Sequence, residues 1–185
     1  SDPTKIGVSL LLLPKGFNLD SYITLFQADY VLTGLYISTM RTIIGTLTMI
    51  IVSSVTGYCL AQKDVVGIKF FRKFFVFTMY VSAGLIPIYL VYQFFGLIGT
   101  FWVYIVPLMV GAFNIILVKT YVESLPDALQ ESAFMDGAND FTIFFRIIFP
   151  LIIPVIAAIA LFGGIGHWNS YFDAHIFNSL KKELY

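Results

Sequence analysis

Four long stretches of mostly apolar residues dominate the chain, at about 41–61, 74–95, 101–118 and 150–168. A helix needs about 20 such residues to cross the hydrocarbon core of a bilayer, so each stretch is long enough to span a membrane. Hydrophobic residues make up 58% of the chain and charged residues only 12%, whereas a typical soluble domain has about 25% charged residues. The sequence therefore predicts an all-α integral membrane protein, a polytopic helical bundle with about four spans.

The net charge and the small number of cysteines and histidines exclude several classes of function. The formal net charge is zero and no basic tract is present, so we expect no nucleic-acid partner. One cysteine and two histidines provide neither a disulfide within the chain nor a metal-ligand cluster. The phosphate-binding pattern GxxxxGK does not occur in the sequence. We therefore predict no catalytic residue, no metal site and no cofactor bound by this chain.

The first apolar stretch carries small residues at every fourth position. Ser53, Gly57 and Ala61 fall on one face of a helix, where small side chains let a neighbouring helix approach closely. We expect this face to pack against another span.

Proline and glycine interrupt the later stretches, at 84–87 in the second, at Pro107 in the third and at Pro154 in the fourth. Proline removes a backbone donor and bends a helix, and a broken helix in a membrane packs against protein or lines a cavity. For 84–87 we weigh a simple kink and a cavity-lining break equally. We interpret the other two prolines as kinks.

The distribution of lysine and arginine predicts an orientation. The segment 62–73 carries four basic residues and 119–149 carries two, whereas 96–100 carries none. Because cytoplasmic loops are enriched in Lys and Arg, 62–73 and 119–149 should lie in the cytoplasm and both chain ends outside. We accordingly assign 1–31 as an extracytoplasmic lead-in and 32–185 as the membrane domain. A polar lead-in does not cross a membrane unaided, so we expect a further helix before residue 1.

The longest polar interruption between apolar stretches contains signals for two short helices. Ser124, Pro126 and Asp127 predict the first start, since serine caps a helix, proline suits its first turn and aspartate favours its positive end. This helix should run to about Met135 and stop near Gly137, because glycine tolerates a left-handed cap.

The second short helix should begin at Asn139 and Asp140. Its spacing predicts one continuous apolar stripe along the membrane surface, formed by Phe141, Phe144, Phe145 and Ile148. Pro150 would then separate this helix from the last span.

The two helices form what we call the elbow (124–150). Asp127, Glu131 and Phe134 share one face of its first helix, and this mixture of acidic and aromatic side chains is unlike a lipid-facing surface. We interpret the elbow as a docking surface. The alternative is a solvated helical hairpin without a partner.

The elbow resembles the hallmark loop of the permease subunits of binding-protein-dependent ABC importers. That loop has the pattern Glu-Ala-Ala-x3-Gly-x9-Ile-x-Leu-Pro. The corresponding residues here are Glu131, Ser132, Ala133, Gly137, Ile147, Phe149 and Pro150. Ser132 and Phe149 are mild departures from the pattern. Residues 84–89, 136–138 and 168–174 look like the carbohydrate branch of the family, especially its oligosaccharide permeases.

This resemblance implies the ABC type I importer permease fold in a bacterial cytoplasmic membrane, with 32–185 as a multi-pass permease domain and 119–149 as a cytoplasmic coupling loop. Of the six helices of such a subunit, the first and the last would lie outside this chain. The implied partners are a second permease, two ATPase subunits that bind ATP and Mg²⁺, an extracytoplasmic solute-binding protein and the lipid bilayer. The cargo would be a carbohydrate, with an oligosaccharide favoured.

The resemblance also implies which residues couple the chain to the ATPase. In the family this loop sits in a cleft of the ATPase and moves as a rigid body. The residues expected to make this contact are Asp127, Glu131, Ser132, Ala133, Phe134 and Gly137.

Candidate pathway residues follow from the chemistry of sugars, which stack on aromatic faces and form hydrogen bonds. The candidates are Tyr89, Gln93, Asn114, Trp168 and Asn169. Other interpretations stay open: aromatic side chains near span ends form an interfacial belt, and Asn114 could bond to a neighbouring helix. Arg41, near the end of the first span, is interpreted as snorkelling toward the interface.

Two other functions remain open at the level of sequence. The first is the same kind of importer with another cargo, such as amino acids or metal chelates. The second is a membrane channel or enzyme that needs no ATPase. Neither a nucleophile–base cluster nor a periodic polar stripe favours this second possibility.

Overall fold

The structure is a computed structural model that describes residues 29–178, and all regular structure in this range is helical. The longest helix is α1, Asp29–Ala61, with 33 residues. Within the described range only α1, by length and composition, can cross a membrane as one straight helix. Counting each of two bent helix pairs as one span raises the number to three. The predicted lead-in 1–31 lies outside the described residues except for 29–31, which already belong to α1.

Two later helices pack along α1, namely α4, Ala112–Glu123, and α8, Ile153–Asn169. Ser53, Gly57 and Ala61 are all buried, as their spacing predicted. A Cβ atom added at Gly57 would lie 2.7 Å from Cγ1 of Val118 on α4. The absence of a side chain at Gly57 therefore sets how closely α1 and α4 approach.

The contact between α1 and α8 depends on glycines from both helices. A Cβ atom at Gly45 would overlap the imidazole ring of His167, and one at Gly163 would overlap the end of Met49. Lipid tails are as apolar as leucine, so close van der Waals contact is a main source of attraction between helices in a membrane. These glycines let the large neighbouring side chains fill the space between the two helices.

The main buried core joins α1, α4 and α8 to the elbow. Its residues are Tyr58, Ala61, Val118, Val122, Ala133, Ile143, Phe144, Ile148, Ile152, Val155, Ile156 and Ile159. The rings of Tyr58 and Phe144 pack with their centroids 5.1 Å apart. The elbow is therefore part of the same packed body as the long helices.

The predicted span 74–95 is not one continuous helix. The structure has two short helices, α2, Ile68–Thr78, and α3, Leu85–Phe94, with 79–84 between them. Gly84 is extended, with φ −45° and ψ 175°, and Pro87 follows in the first turn of α3. Proline is tolerated in a first turn because its missing N–H would have no helical partner there. The 84–87 segment therefore starts a helix and does not kink one.

The predicted span 101–118 is broken and longer than expected. Two 3₁₀ turns, Phe101–Tyr104 and Val106–Leu108, precede α4, which continues to Glu123. The two parts are bent by 41°. Pro107 lies in the second turn and the bend follows it at 109–111, where Gly111 is extended, so the prediction that Pro107 kinks a helix is wrong.

The fourth span differs from its prediction at both prolines. The helical pieces α6, Asp140–Ile143, a π-helical turn and α7, Phe149–Leu151, follow one another directly and carry the chain through Pro150. In a regular α-helix the ring of Pro150 would clash with the carbonyl four residues earlier, and the wider π-helical turn relieves this clash. The chain bends by 73° only at the next break, before α8. Pro154 lies in the first turn of α8 and does not kink its interior.

Replacing Gly57 by alanine should lower the free energy of unfolding by about 1 to 3 kcal/mol, because the added methyl group meets Val118 and the backbone of α4. Gly166→Ala on α8 is the matched control, since a Cβ atom there meets open space and alanine favours a helix. Thermal melting of both variants in detergent measures the effect. Equal melting temperatures for the two variants would contradict this account of helix packing.

Candidate functional site

The first helix of the elbow is α5, Ala128–Met135. Its start lies later than predicted, because Ser124 ends α4 and its hydroxyl donates a hydrogen bond to the carbonyl of Tyr121 at 2.6 Å. Asp127 occupies the N-cap position of α5 but makes no side-chain capping bond. Its carboxylate instead bonds to Lys63, 2.6 Å away.

The turn after α5 is fixed by its backbone. Gly137 has φ +80°, the left-handed conformation that was predicted. The N–H of Gly137 donates to the carbonyl of Phe134, and the N–H of Ala138 donates to that of Ala133, both at 3.0 Å. These two bonds form a Schellman motif, which satisfies carbonyls at the end of a helix.

The second helix of the elbow begins where predicted. Asn139 is its N-cap, and its side-chain oxygen accepts a hydrogen bond from the backbone N–H of Thr142 at 2.9 Å. The end of α5 and the start of the second helix are both capped, so hydrogen bonds restrict the backbone of 136–139 on both sides.

The predicted apolar stripe of the second helix is divided. Phe144 and Ile148 are buried in the core, whereas Phe141 and Phe145 are 77% and 61% exposed. Each pair is spaced four residues apart, so the two pairs form neighbouring rows on the helix. One row anchors the elbow on the core and the other faces outward, and the position of this helix along the membrane surface stays a prediction.

The predicted ATPase-contact residues fall into two groups. Asp127, Glu131 and Phe134 line one groove of about 320 Å³, together with 61–64 and Gln130. Phe134 is 51% exposed in this groove. Among residues 29–178, no basic side chain lies within ion-pair distance of Glu131.

The remaining predicted contact residues lie elsewhere on the elbow. Ser132 and Gly137 are exposed, and Ala133 is buried in the core. The structure thus brings an acidic and aromatic groove together, while Ala133 holds α5 in place.

The loop after α1 braces α5. Lys63 donates to Asp127, and Gln62 donates to the side-chain oxygen of Gln130 at 3.3 Å. The bond to Asp127 raises the pKa of Lys63 above its usual value. Both members of this ion pair are largely exposed, so they position the loop more than they stabilise the fold.

A stronger connection at this end of α1 is Arg72 of α2. Its guanidinium donates to the carbonyls of Leu60, Ala61 and Gln62 at 2.7, 3.1 and 3.0 Å. It also lies 3.4 Å from the carboxylate of Glu123 at the end of α4. A cation at a helix C-terminus satisfies free carbonyls and opposes the helix dipole. Arg72 is one of the four basic residues of 62–73 that predicted the orientation, and no local sequence pattern links it to α1.

The opposite part of α1 contains a buried cation. Arg41 is only 3% exposed, and it donates to the carbonyl of Ser170 at 2.6 Å and lies 3.3 Å from the carboxylate of Asp173. Its guanidinium also lies 4.4 Å from the ring centroid of Tyr104. The interpretation of Arg41 as a snorkelling residue is therefore wrong, since partners inside the protein hold its charge.

Two cavities adjoin this cluster. The Arg41 cavity, of about 380 Å³, is lined by Gly34, Ile37, Ser38, Arg41, Tyr104, Trp168, Ser170, Tyr171, Ala174 and His175. The Asn114 cavity, of about 450 Å³, is lined by Met49, Pro107, Leu108, Val110, Gly111, Asn114, Gly163, Gly166, His167, Ser170 and Asp173.

The structure separates the predicted pathway residues. Trp168 lines the Arg41 cavity and Asn114 lines the other. Asn114 also lies 3.2 Å from the sulfur of Met49, which fits a bond between helices. Tyr89 packs against Phe177, and Gln93 and Asn169 are exposed and line neither cavity. A role in the pathway stays a prediction for each of these residues.

Replacing Arg72 by glutamine should lower the free energy of unfolding by about 2 kcal/mol, because the carbonyls at the end of α1 lose a charged donor. Lys63→Gln is the matched control, since it removes a nearby cation from an exposed pair, and we expect it to leave stability unchanged. Thermal melting in detergent compares them. If both variants melted like the unchanged protein, Arg72 would not be the cap described here.

Known proteins with similar sequences include two from Bacillus subtilis. The chain is 38% identical over 172 residues to the polygalacturonan/rhamnogalacturonan transport system permease protein YtcP of Bacillus subtilis, covering 93% of this chain and 60% of that protein. Protein LplC of Bacillus subtilis is 37% identical, over 91% of this chain and 57% of its own length. The chain thus spans about 60% of the length of these relatives.

A solved structure is also similar, a bacterial ABC transporter involved in the import of the acidic polysaccharide alginate. The likeness has a TM-score of 0.87 at 30% identity and covers 93% of this chain and 61% of that one. The predicted permease fold is therefore confirmed. Residues 50–172 match the family described as binding-protein-dependent transport system inner membrane component. The chain belongs to this family of membrane permeases.

Proposed function

We propose that this chain is a membrane-spanning permease subunit of an ATP-driven importer for carbohydrates. The single observation that carries the proposal is the groove formed by Asp127, Glu131 and Phe134 on an elbow with the family's spacing. Its partners would be a second permease, two ATPase subunits and an extracytoplasmic binding protein. The elbow and the loop 62–67 would face the cytoplasm, where ATP is available.

The rigidity of the elbow supports a coupling role. The Schellman turn at Gly137, the cap at Asn139 and the buried Ala133 leave α5 little freedom to move alone. A displacement of α5 by an ATPase would therefore carry the core with it. Packed cores transmit such displacements because they deform little.

Glu131 is the residue best placed to anchor the partner. It lies in the groove beside Phe134 and has no basic partner within the described range. A basic side chain of the ATPase could pair with it. A pair shielded from water in this way is costly to break by removing one member.

The proposed cargo is supported by the relatives. YtcP is named for transport of polygalacturonan and rhamnogalacturonan, and the similar solved transporter imports alginate. The Arg41 cavity also has aromatic walls with a few polar groups, a composition typical of small-molecule sites.

Replacing Glu131 by alanine should lower transport by about tenfold or more in the complete importer, because the anchoring charge is lost while the fold is kept. Gly137→Asp should have the same effect. Gly137 has φ +80°, so an aspartate there strains the turn of the elbow. No atom of this chain lies within 4 Å of a Cβ atom at Gly137, so the new side chain would also meet the partner. Uptake and ATP hydrolysis are measured together in reconstituted vesicles, and hydrolysis should become uncoupled from uptake.

Asp140→Asn is the matched control for Glu131→Ala. Asp140 is an exposed carboxylate on the other helix of the elbow and does not line the groove. The importer with Asp140→Asn should retain normal transport. Full transport by both Glu131→Ala and Gly137→Asp would remove the basis of the coupling role.

A further inference from the structure

The Arg41–Asp173 ion pair divides the two cavities described above. Arg41 lines only the Arg41 cavity, Asp173 lines only the Asn114 cavity, and Ser170 lines both. The positive member of the pair therefore faces one cavity and the negative member faces the other. This separation makes the two cavities chemically different although they adjoin.

The Arg41 cavity combines aromatic faces with a positive charge. Tyr104, Trp168 and Tyr171 contribute rings, and Ser38 and His175 contribute polar groups. Pockets of this size hold small ligands, and a few convergent polar groups fix the ligand's orientation. No carboxylate among residues 29–178 lines this cavity, so the guanidinium of Arg41 on its wall favours an anion.

The guanidinium of Arg41 has hydrogen-bonding capacity left over. One terminal nitrogen donates to Ser170 and the other to Asp173, but the buried Nε has no hydrogen-bond partner among residues 29–178. A guanidinium has more N–H donors than these two bonds use. A buried donor without a partner is costly, and arginine binds carboxylates with two parallel bonds.

We propose that the Arg41 cavity binds the carboxylate of an acidic sugar residue, and that Asp173 is the internal carboxylate with which this ligand competes for Arg41. The inference rests on the proposed function, since it names the class of sugar that the permease takes. A second carboxylate beside Asp173 is repelled by it, so binding shifts Arg41 from its internal partner to the ligand. Asp173 thereby limits how tightly an acidic sugar is held.

The test measures sugar binding to the complete importer in nanodiscs of neutral phosphatidylcholine, without the binding protein. Equilibrium dialysis compares trigalacturonate with its methyl ester, which has the same rings but no charge. The unchanged importer should bind trigalacturonate about tenfold or more tightly than the ester, the equivalent of one charge-assisted contact.

Two substitutions at the pair separate binding from structure. Arg41→Gln should abolish the preference for the acid over the ester, whereas Asp173→Asn should tighten acid binding several-fold. A role limited to holding the helices together predicts that both variants weaken both sugars alike, and that result would overturn the proposal. Arg41→Lys keeps the charge and should retain part of the preference, which guards against misfolding of Arg41→Gln.

The remaining outcomes are also decisive. Equal binding of the acid and the ester by the unchanged importer would overturn this inference and leave the carbohydrate proposal standing. Binding of neither sugar would also overturn this inference, whereas the proposed function is tested separately by uptake with the binding protein present. If phosphatidylglycerol in the nanodisc abolished acid binding, an anionic lipid headgroup would be the occupant, and the assignment to a sugar would be wrong.

Discussion

The close approach of α1 to α4 and α8 is the contact on which the rest of the structure depends. Gly57 brings Val118 against the backbone of α1, and Gly45 makes room for the ring of His167. Water is absent from the hydrocarbon core, so no hydrophobic force draws helices together there, and contact at short range must do so. The broken helices and the elbow are then held by packing on this group of three.

Two arginines connect α1 to the parts of the chain that carry function. Arg72 caps the last carbonyls of α1 next to the loop that braces α5. Arg41 connects the other part of α1 to the segment that follows α8. It bonds to Ser170 in the turn and to Asp173 in α9, Phe172–Phe177. Each cation donates to at least one backbone carbonyl and lies beside a carboxylate, which lowers the cost of keeping its charge out of water. One long helix therefore links the groove at α5 to the Arg41 cavity.

The elbow could be predicted from the sequence because its determinants are local. Gly137 and Asn139 fix the turn through bonds to residues within a few positions, and the small residues of α1 follow a simple spacing. The partners of Arg41 lie 129 and 132 positions away, so no local pattern reveals them. Pro87, Pro150 and Pro154 were misplaced for a related reason: a proline marks a possible break, but the neighbouring packing decides on which side of it the helix ends.

The proposed coupling role requires that the exposed face of α5 docks on an ATPase subunit. A single cysteine at Phe134, in a background where Cys59 is replaced by serine, tests it most directly, because position 134 is exposed in the groove. A cysteine at Tyr80, which lies in the break between α2 and α3 and is more exposed than Phe134, is the control. If α5 docks on the ATPase, we expect a crosslink from position 134 whose yield changes with ATP, and none from position 80. No crosslink from position 134, with both proteins folded and present in the membrane, would contradict it.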